Sequence, residues 1–149
     1  MYKSQIIKEN KLYFNKNIFY NEDRLFVLEY ILKCSENIYY NNSKMYHLTL
    51  REDSATGKKT YSKKMDTEFT AFDIMENILK NTQYDKVNEL IDYNRYLGYC
   101  DKYIRLNERK FKKNINFWNF IRILNYKELT VKEKYAVVKR YIRKLLKWI

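Results

Sequence analysis

The last twenty residues constrain this chain most. Thr130-Val131-Lys132-Glu133 has the form of a capping box, in which each of the two polar side chains accepts the other residue's backbone N–H. It leads into Val131, Tyr135, Val138, Ile142, Leu145, Leu146 and Ile149, spaced alternately four and three apart. Lys and Arg occupy most of the other face. Only a helix gathers positions with that spacing on one side, so 130–149 reads as a basic amphipathic helix.

Helical signals run back from there to Asp66. Asp66 or Thr67 can cap a helix carrying Phe69, Phe72, Met75, Ile78 and Leu79 on one side. A second helix runs from Tyr84 to about Leu106, with Val87, Leu90, Ile91, Leu97 and Ile104 as its apolar positions. Gly98 inside it is a poor helix former. Phe111 to Leu124 holds an aromatic cluster, Phe117-Trp118-Phe120.

The first sixty residues read differently. Leu12-Tyr13-Phe14 and Ile18-Phe19-Tyr20 are short apolar runs among Asn and Lys, as in loops with brief extended pieces. Glu22-Asp23 then opens a segment with Leu25, Leu28, Ile31 and Leu32 at helical spacing, the two acids in the first turn where the helix dipole favours them. Asn37 to Tyr40 and Lys44 to Leu50 suggest two short strands joined by Asn41-Asn42-Ser43, which has turn chemistry. Residues 51–64 are polar and read as a loop. The expected fold is α+β and mostly α, with a short strand pair after a Glu-Asp-initiated helix and then a C-terminal helical bundle.

The net charge of +12 is unevenly spread. Residues 84–149 hold 17 Lys/Arg against 7 Asp/Glu, whereas residues 1–83 hold 13 against 11. A polyanionic partner should therefore meet the C-terminal end. No apolar run approaches the roughly 20 residues that span a bilayer, and the first residues lack the apolar stretch of a signal peptide. Cys34 and Cys100 have no metal-type spacing and read as reduced thiols, while His47 is the one histidine.

Three features occur in order within about fifty residues: Met1-Tyr2-Lys3-Ser4-Gln5-Ile6-Ile7-Lys8 followed by Leu12-Tyr13-Phe14; Tyr20-Asn21-Glu22-Asp23-Arg24-Leu25-Phe26; and Ile38-Tyr39-Tyr40, Met45-Tyr46-His47, then Arg51-Glu52-Asp53-Ser54-Ala55-Thr56. This order resembles the second half of the catalytic domain of bacterial-type family 2 glycosyltransferases, which build capsule and other surface polysaccharides. The resemblance covers residues 1–60 closely and the helical tail in general character.

The resemblance implies a partial GT-A domain. Residues 1–64 would be an acceptor-side remnant of the catalytic domain and 65–149 a helical C-terminal region. Inverting transfer needs a base to take the proton of the acceptor hydroxyl, and a carboxylate within hydrogen-bond reach can do so. By the resemblance Asp23 is that base, with Glu22 orienting it or the acceptor. The plain alternative is that both acids only stabilise a helix start. Arg51 and Ser54 would contact the donor diphosphate, and His47 either the diphosphate, its metal, or nothing but the surrounding strand. Where the family has Tyr-Arg this chain has Leu48-Thr49, and where it commonly has Gly before the serine there is Asp53, so donor handling should differ.

The family also begins with a nucleotide-binding half ending in Asp-x-Asp, which holds the divalent metal, Mn or Mg, and the sugar nucleotide. No Asp-x-Asp occurs in this sequence. The expectation is a chain that needs the missing N-terminal half, a nucleotide-sugar and a saccharide acceptor to act, and that is inactive alone. Without that half, apolar surface should be exposed around Ile6, Ile7, Phe14 and Phe26.

The basic tail admits two readings. Lys139, Arg140, Arg143, Lys144, Lys147 and Trp148 suit a helix lying on an anionic membrane, which would place the protein in the cytoplasm, peripheral to the inner face of the plasma membrane. Alternatively the apolar stripe packs against the helices of 67–124. A rival function is a small, basic, helical nucleic-acid-binding protein, since aromatics alternate with cations around Tyr103, Arg105, Phe111 and Lys112.

Overall fold

The computed structural model describes residues 2–35, 60–80, 82 and 85–147. Six α-helices order these residues: α1 Ser4–Glu9, α2 Glu22–Lys33, α3 Thr67–Leu79, α4 Asp85–Ile104, α5 Phe117–Leu124 and α6 Val131–Leu146. Two short 3-10 helices, Lys63–Asp66 and Arg109–Asn114, lead into α3 and α5. The protein is mostly helical, and no strand occurs among the described residues. The expected strands at 37–40 and 44–50 lie outside them.

α4 is the hub. It packs on α3 at one side and on the second 3-10 helix, α5 and α6 at the other, while α2 packs on α3 and α1 on α2. Its two sides feed two cores. Ile91 joins Ile18, Leu25, Phe72, Met75 and Leu79, which tie the stretch before α2 and α2 itself to α3. Tyr93, Tyr96, Cys100 and Tyr103, spaced three and four apart, join Ile115, Ile123 and Val137 in the larger core. Tyrosines thus carry the α4 core face, whereas the aliphatic Leu90 on the same helix is 36% exposed. The apolar body of a tyrosine ring explains the choice, since it supplies more buried area than an aliphatic side chain.

Gly98 permits the α3–α4 contact. A β-carbon there would meet Phe69 at 3.2 Å and the Glu68 carboxylate closer still, so the helix interior gives up propensity for proximity. The capping box at Thr130 forms as read: Thr130 Oγ1 accepts from Glu133 N at 3.3 Å, and Thr130 N donates to Glu133 Oε2 at 2.8 Å.

The N-terminal segment differs from the expectation of exposed apolar surface. Ser4–Glu9 forms a helix, held at its end by Asn10 Nδ2 donating to Ile6 O at 3.0 Å. Ile6 and Ile7 are half-buried against Leu12, Phe26 and Tyr30, and Phe26 is only 6% exposed. Of the four residues named, Phe14 alone remains exposed, and it stacks on Phe26 with ring centroids 4.6 Å apart. A short helix and a left-handed turn at Lys11 fold the segment back onto α2, so α2 is covered by its own chain.

Candidate functional site

The acidic pair sits where the chain enters α2. Asn21 takes a left-handed conformation, φ 63°, and turns the chain so that Glu22 and Asp23 form the first helical turn. Leu25 and Phe26 then point into two different cores and clamp the helix from below. Glu22 is half-buried and Asp23 exposed. One Asp23 oxygen accepts from Arg24 N at 2.8 Å, which satisfies an N–H at the helix start.

Two residues before Glu22, Tyr20 enters a cleft of about 380 Å³ lined also by Glu68, Asp101, Lys102 and Arg105. The 19–20 stretch is tied to α3 by Phe19 N donating to Thr67 Oγ1 at 3.0 Å, and Lys64 lies 4.6 Å over the Phe19 ring. Burial, and then the Glu68 carboxylate, pushes the Tyr20 hydroxyl above its ordinary range, so it stays a neutral donor in the cleft.

The cleft floor is an ion pair. Lys102 is 3% exposed, and its Nζ lies 2.6 Å from Glu68 Oε1 and 4.5 Å over the Phe69 ring. The pair's geometry falls short of a hydrogen bond to that oxygen, so its attraction is mainly charge on charge. Asp101 faces the same cleft and is held by Arg105 through two bonds of 2.8 Å. Sequence reasoning missed this group, although a glycine in mid-helix signals a close approach that Gly98 in fact makes to Glu68.

A second polar cluster fastens α5 to α4 and α3. Asp92 accepts from the Tyr126 hydroxyl and pairs with Arg122, while Arg95 reaches Asp73 at 3.0 Å and Glu76 at 2.9 Å. Each of its charges has a partner of opposite sign, which marks it as a fastening. Among the described residues, no three His, Cys, Asp or Glu side chains are placed to hold a metal ion.

The residues expected to meet the donor, His47, Arg51 and Ser54, lie outside the described residues, as does Trp148. The cations of α6 are divided in their tasks. Lys147 Nζ donates to the carbonyls of Tyr103 and Ile104 at 2.7 and 3.2 Å, closing the C-terminal end of α4. Lys144 lies over the Tyr141 ring at 5.0 Å. Arg140 donates to Ala136 O, and Lys139, Arg140 and Arg143 line a groove of about 470 Å³ between α6 and α4. Only part of the expected anion-contact set is therefore uncommitted. Comparison with protein-family models, with curated proteins and with solved structures returned no match.

Proposed function

We propose that this chain is the acceptor-side and C-terminal part of a family 2 glycosyltransferase, which transfers a sugar from a nucleotide-sugar to a saccharide or lipid-linked acceptor. The observation that carries the reading is the ordered motif set along residues 1–56, with Glu22-Asp23 at its centre. The geometry supports it in one respect: Asp23 stands exposed in the first turn of a helix whose Leu25 and Phe26 are buried. In this reading the segment that carries Arg51 and Ser54 meets the donor.

In the transfer step the acceptor hydroxyl oxygen attacks the anomeric carbon. The bond from that carbon to the nucleoside diphosphate breaks, and the hydroxyl proton passes to Asp23. Glu22 orients the acceptor, and Arg51 and Ser54 hold the diphosphate. The described residues do not fit a divalent metal. Any metal and the nucleotide belong to an Asp-x-Asp-bearing half.

The test is a chimera that joins a family 2 nucleotide-binding half to Met1. Release of nucleoside diphosphate from a panel of nucleotide-sugars is measured with and without saccharide acceptors. Acceptor-dependent release that Asp23→Asn lowers at least about a hundredfold, the scale of a lost general base, supports the reading. An Asp23→Asn chimera as active as its parent would sink it.

A further inference from the structure

The apolar stripe of α6 is not its packing face. The helix docks through Val137, which is fully buried, and through Tyr141, stacked on Phe120 of α5 at 4.2 Å between ring centroids. At about 100° per residue, that face lies roughly a third of a turn from the stripe. Most of the stripe stays open: Val131 is 86% exposed, Tyr135 66%, Ile142 48%, Leu145 48% and Leu146 59%, with Val138 half-buried. On the neighbouring α5, Phe117 and Trp118 are also exposed, at 53% and 77%.

Beside the stripe runs an arc of cations. Lys132, Lys139 and Arg143 each follow a stripe position by one residue, which sets them roughly 100° further round. Among the described residues none of the three has a carboxylate partner, and Glu133, the one acid in α6, is spent in the capping box. Lys139 and Arg143 also border the groove between α6 and α4, whose remaining charges are Arg140, Arg105 and Asp101.

An exposed apolar stripe flanked by unpaired cations matches one surface in both respects, an anionic lipid bilayer. The stripe enters the boundary of headgroups and chains, and the cations meet lipid phosphates. We propose that α6, docked sideways through Val137 and Tyr141, seats this protein on an anionic phospholipid surface, with the groove at Lys139 and Arg143 receiving headgroup phosphate. A nucleic acid would use the cations and leave the stripe in water. A second copy of the chain would cover the stripe but bring like charges together.

The experiment uses the whole chain with neutral phosphatidylcholine vesicles and with vesicles containing about 30% phosphatidylglycerol, read by co-sedimentation and by Trp fluorescence. Binding should favour the anionic vesicles at least tenfold and weaken between about 50 and 500 mM salt. Lys139→Glu with Arg143→Glu should lower it by about twenty-five-fold or more, taking about fivefold per cation. Ile142→Ser with Leu145→Ser should lower it at least about tenfold. All four side chains are exposed, so helical circular dichroism should be unchanged.

Three results overturn the proposal: no preference for anionic vesicles; binding that the charge reversals abolish and the apolar pair leaves untouched, the pattern of a polyanion such as duplex DNA; or a dimer by light scattering that the Ile142/Leu145 variant dissociates while vesicles are ignored. None of these readouts involves donor or acceptor, so failure here leaves the transfer reading standing, and the converse also holds.

Discussion

Gly98 and Glu68 touch across the α3–α4 interface: a β-carbon at Gly98 would collide with the Glu68 Oε1 that faces Lys102. Alanine is the better helix former by about 1 kcal/mol, so an unconstrained Gly98→Ala would stabilise. Here the methyl must push the carboxylate off a buried ammonium, and breaking such a pair costs about 3–5 kcal/mol. The loss outweighs the gain. Gly98→Ala should be destabilised by about 2 kcal/mol, lowering Tm by about 6 °C for a chain of this size, as thermal circular dichroism will read.

The Glu68–Lys102 pair tests whether charge itself is needed at that point. Its side chains are only 16% and 4% exposed, so each alone is costly. Glu68→Gln strands the ammonium and should lose about 3 kcal/mol in urea denaturation. Glu68→Leu with Lys102→Met removes both charges at similar volume and should return to within about 1 kcal/mol of the parent. A double variant as weak as the single one would show that the pair's geometry, more than its desolvation, governs this site.

Acid should weaken α6 at its start. Hydrogen bonds from the Thr130 hydroxyl, and then from its backbone N–H, hold the Glu133 carboxyl below the usual glutamate range. A depressed carboxylate contributes stability that is complete above its unfolded pKa and disappears as pH falls through the folded value. Thr130→Ala should cost about 1 kcal/mol at neutral pH. That difference from the parent should shrink on acidification below the ordinary glutamate range, as paired melts across pH 7 to 3 will show.

The two thiols should separate cleanly. Cys100 is 1% exposed, and burial pushes its pKa up to about 12, whereas Cys34 is half-buried at the end of α2. The thiolate is the reactive form, so near pH 8 Cys100 should react about a thousandfold more slowly than an ordinary thiol. Titration with a disulfide reagent should give one rapid equivalent, lost in Cys34→Ser, and a second only on unfolding. Two rapid equivalents would mean that the α4 core opens in the native state.

How far the sequence reached can be told from particular residues. It determined the helices with strong local signals: Glu22-Asp23 does open α2, the helix expected from Tyr84 to about Leu106 spans Asp85–Ile104, and the capping box does start α6. These are local because caps and periodicity act within a turn or two. The acidic pair was legible for the same reason, while its partners were not.

Tertiary structure alone decided which face of each helix is inside. α4 buries Tyr93, Tyr96 and Tyr103 as well as Ile91 while Leu90 stays exposed, and α6 buries Val137 while most of its apolar stripe stays open. It also brought Glu68 to Lys102 and spent Lys147 on the end of α4. Periodicity shows that a helix has an apolar side, but the side that docks depends on neighbours distant in sequence. Here Gly98 allows α3 to approach α4, and Phe120 stacks on Tyr141 and turns α6 to its seat.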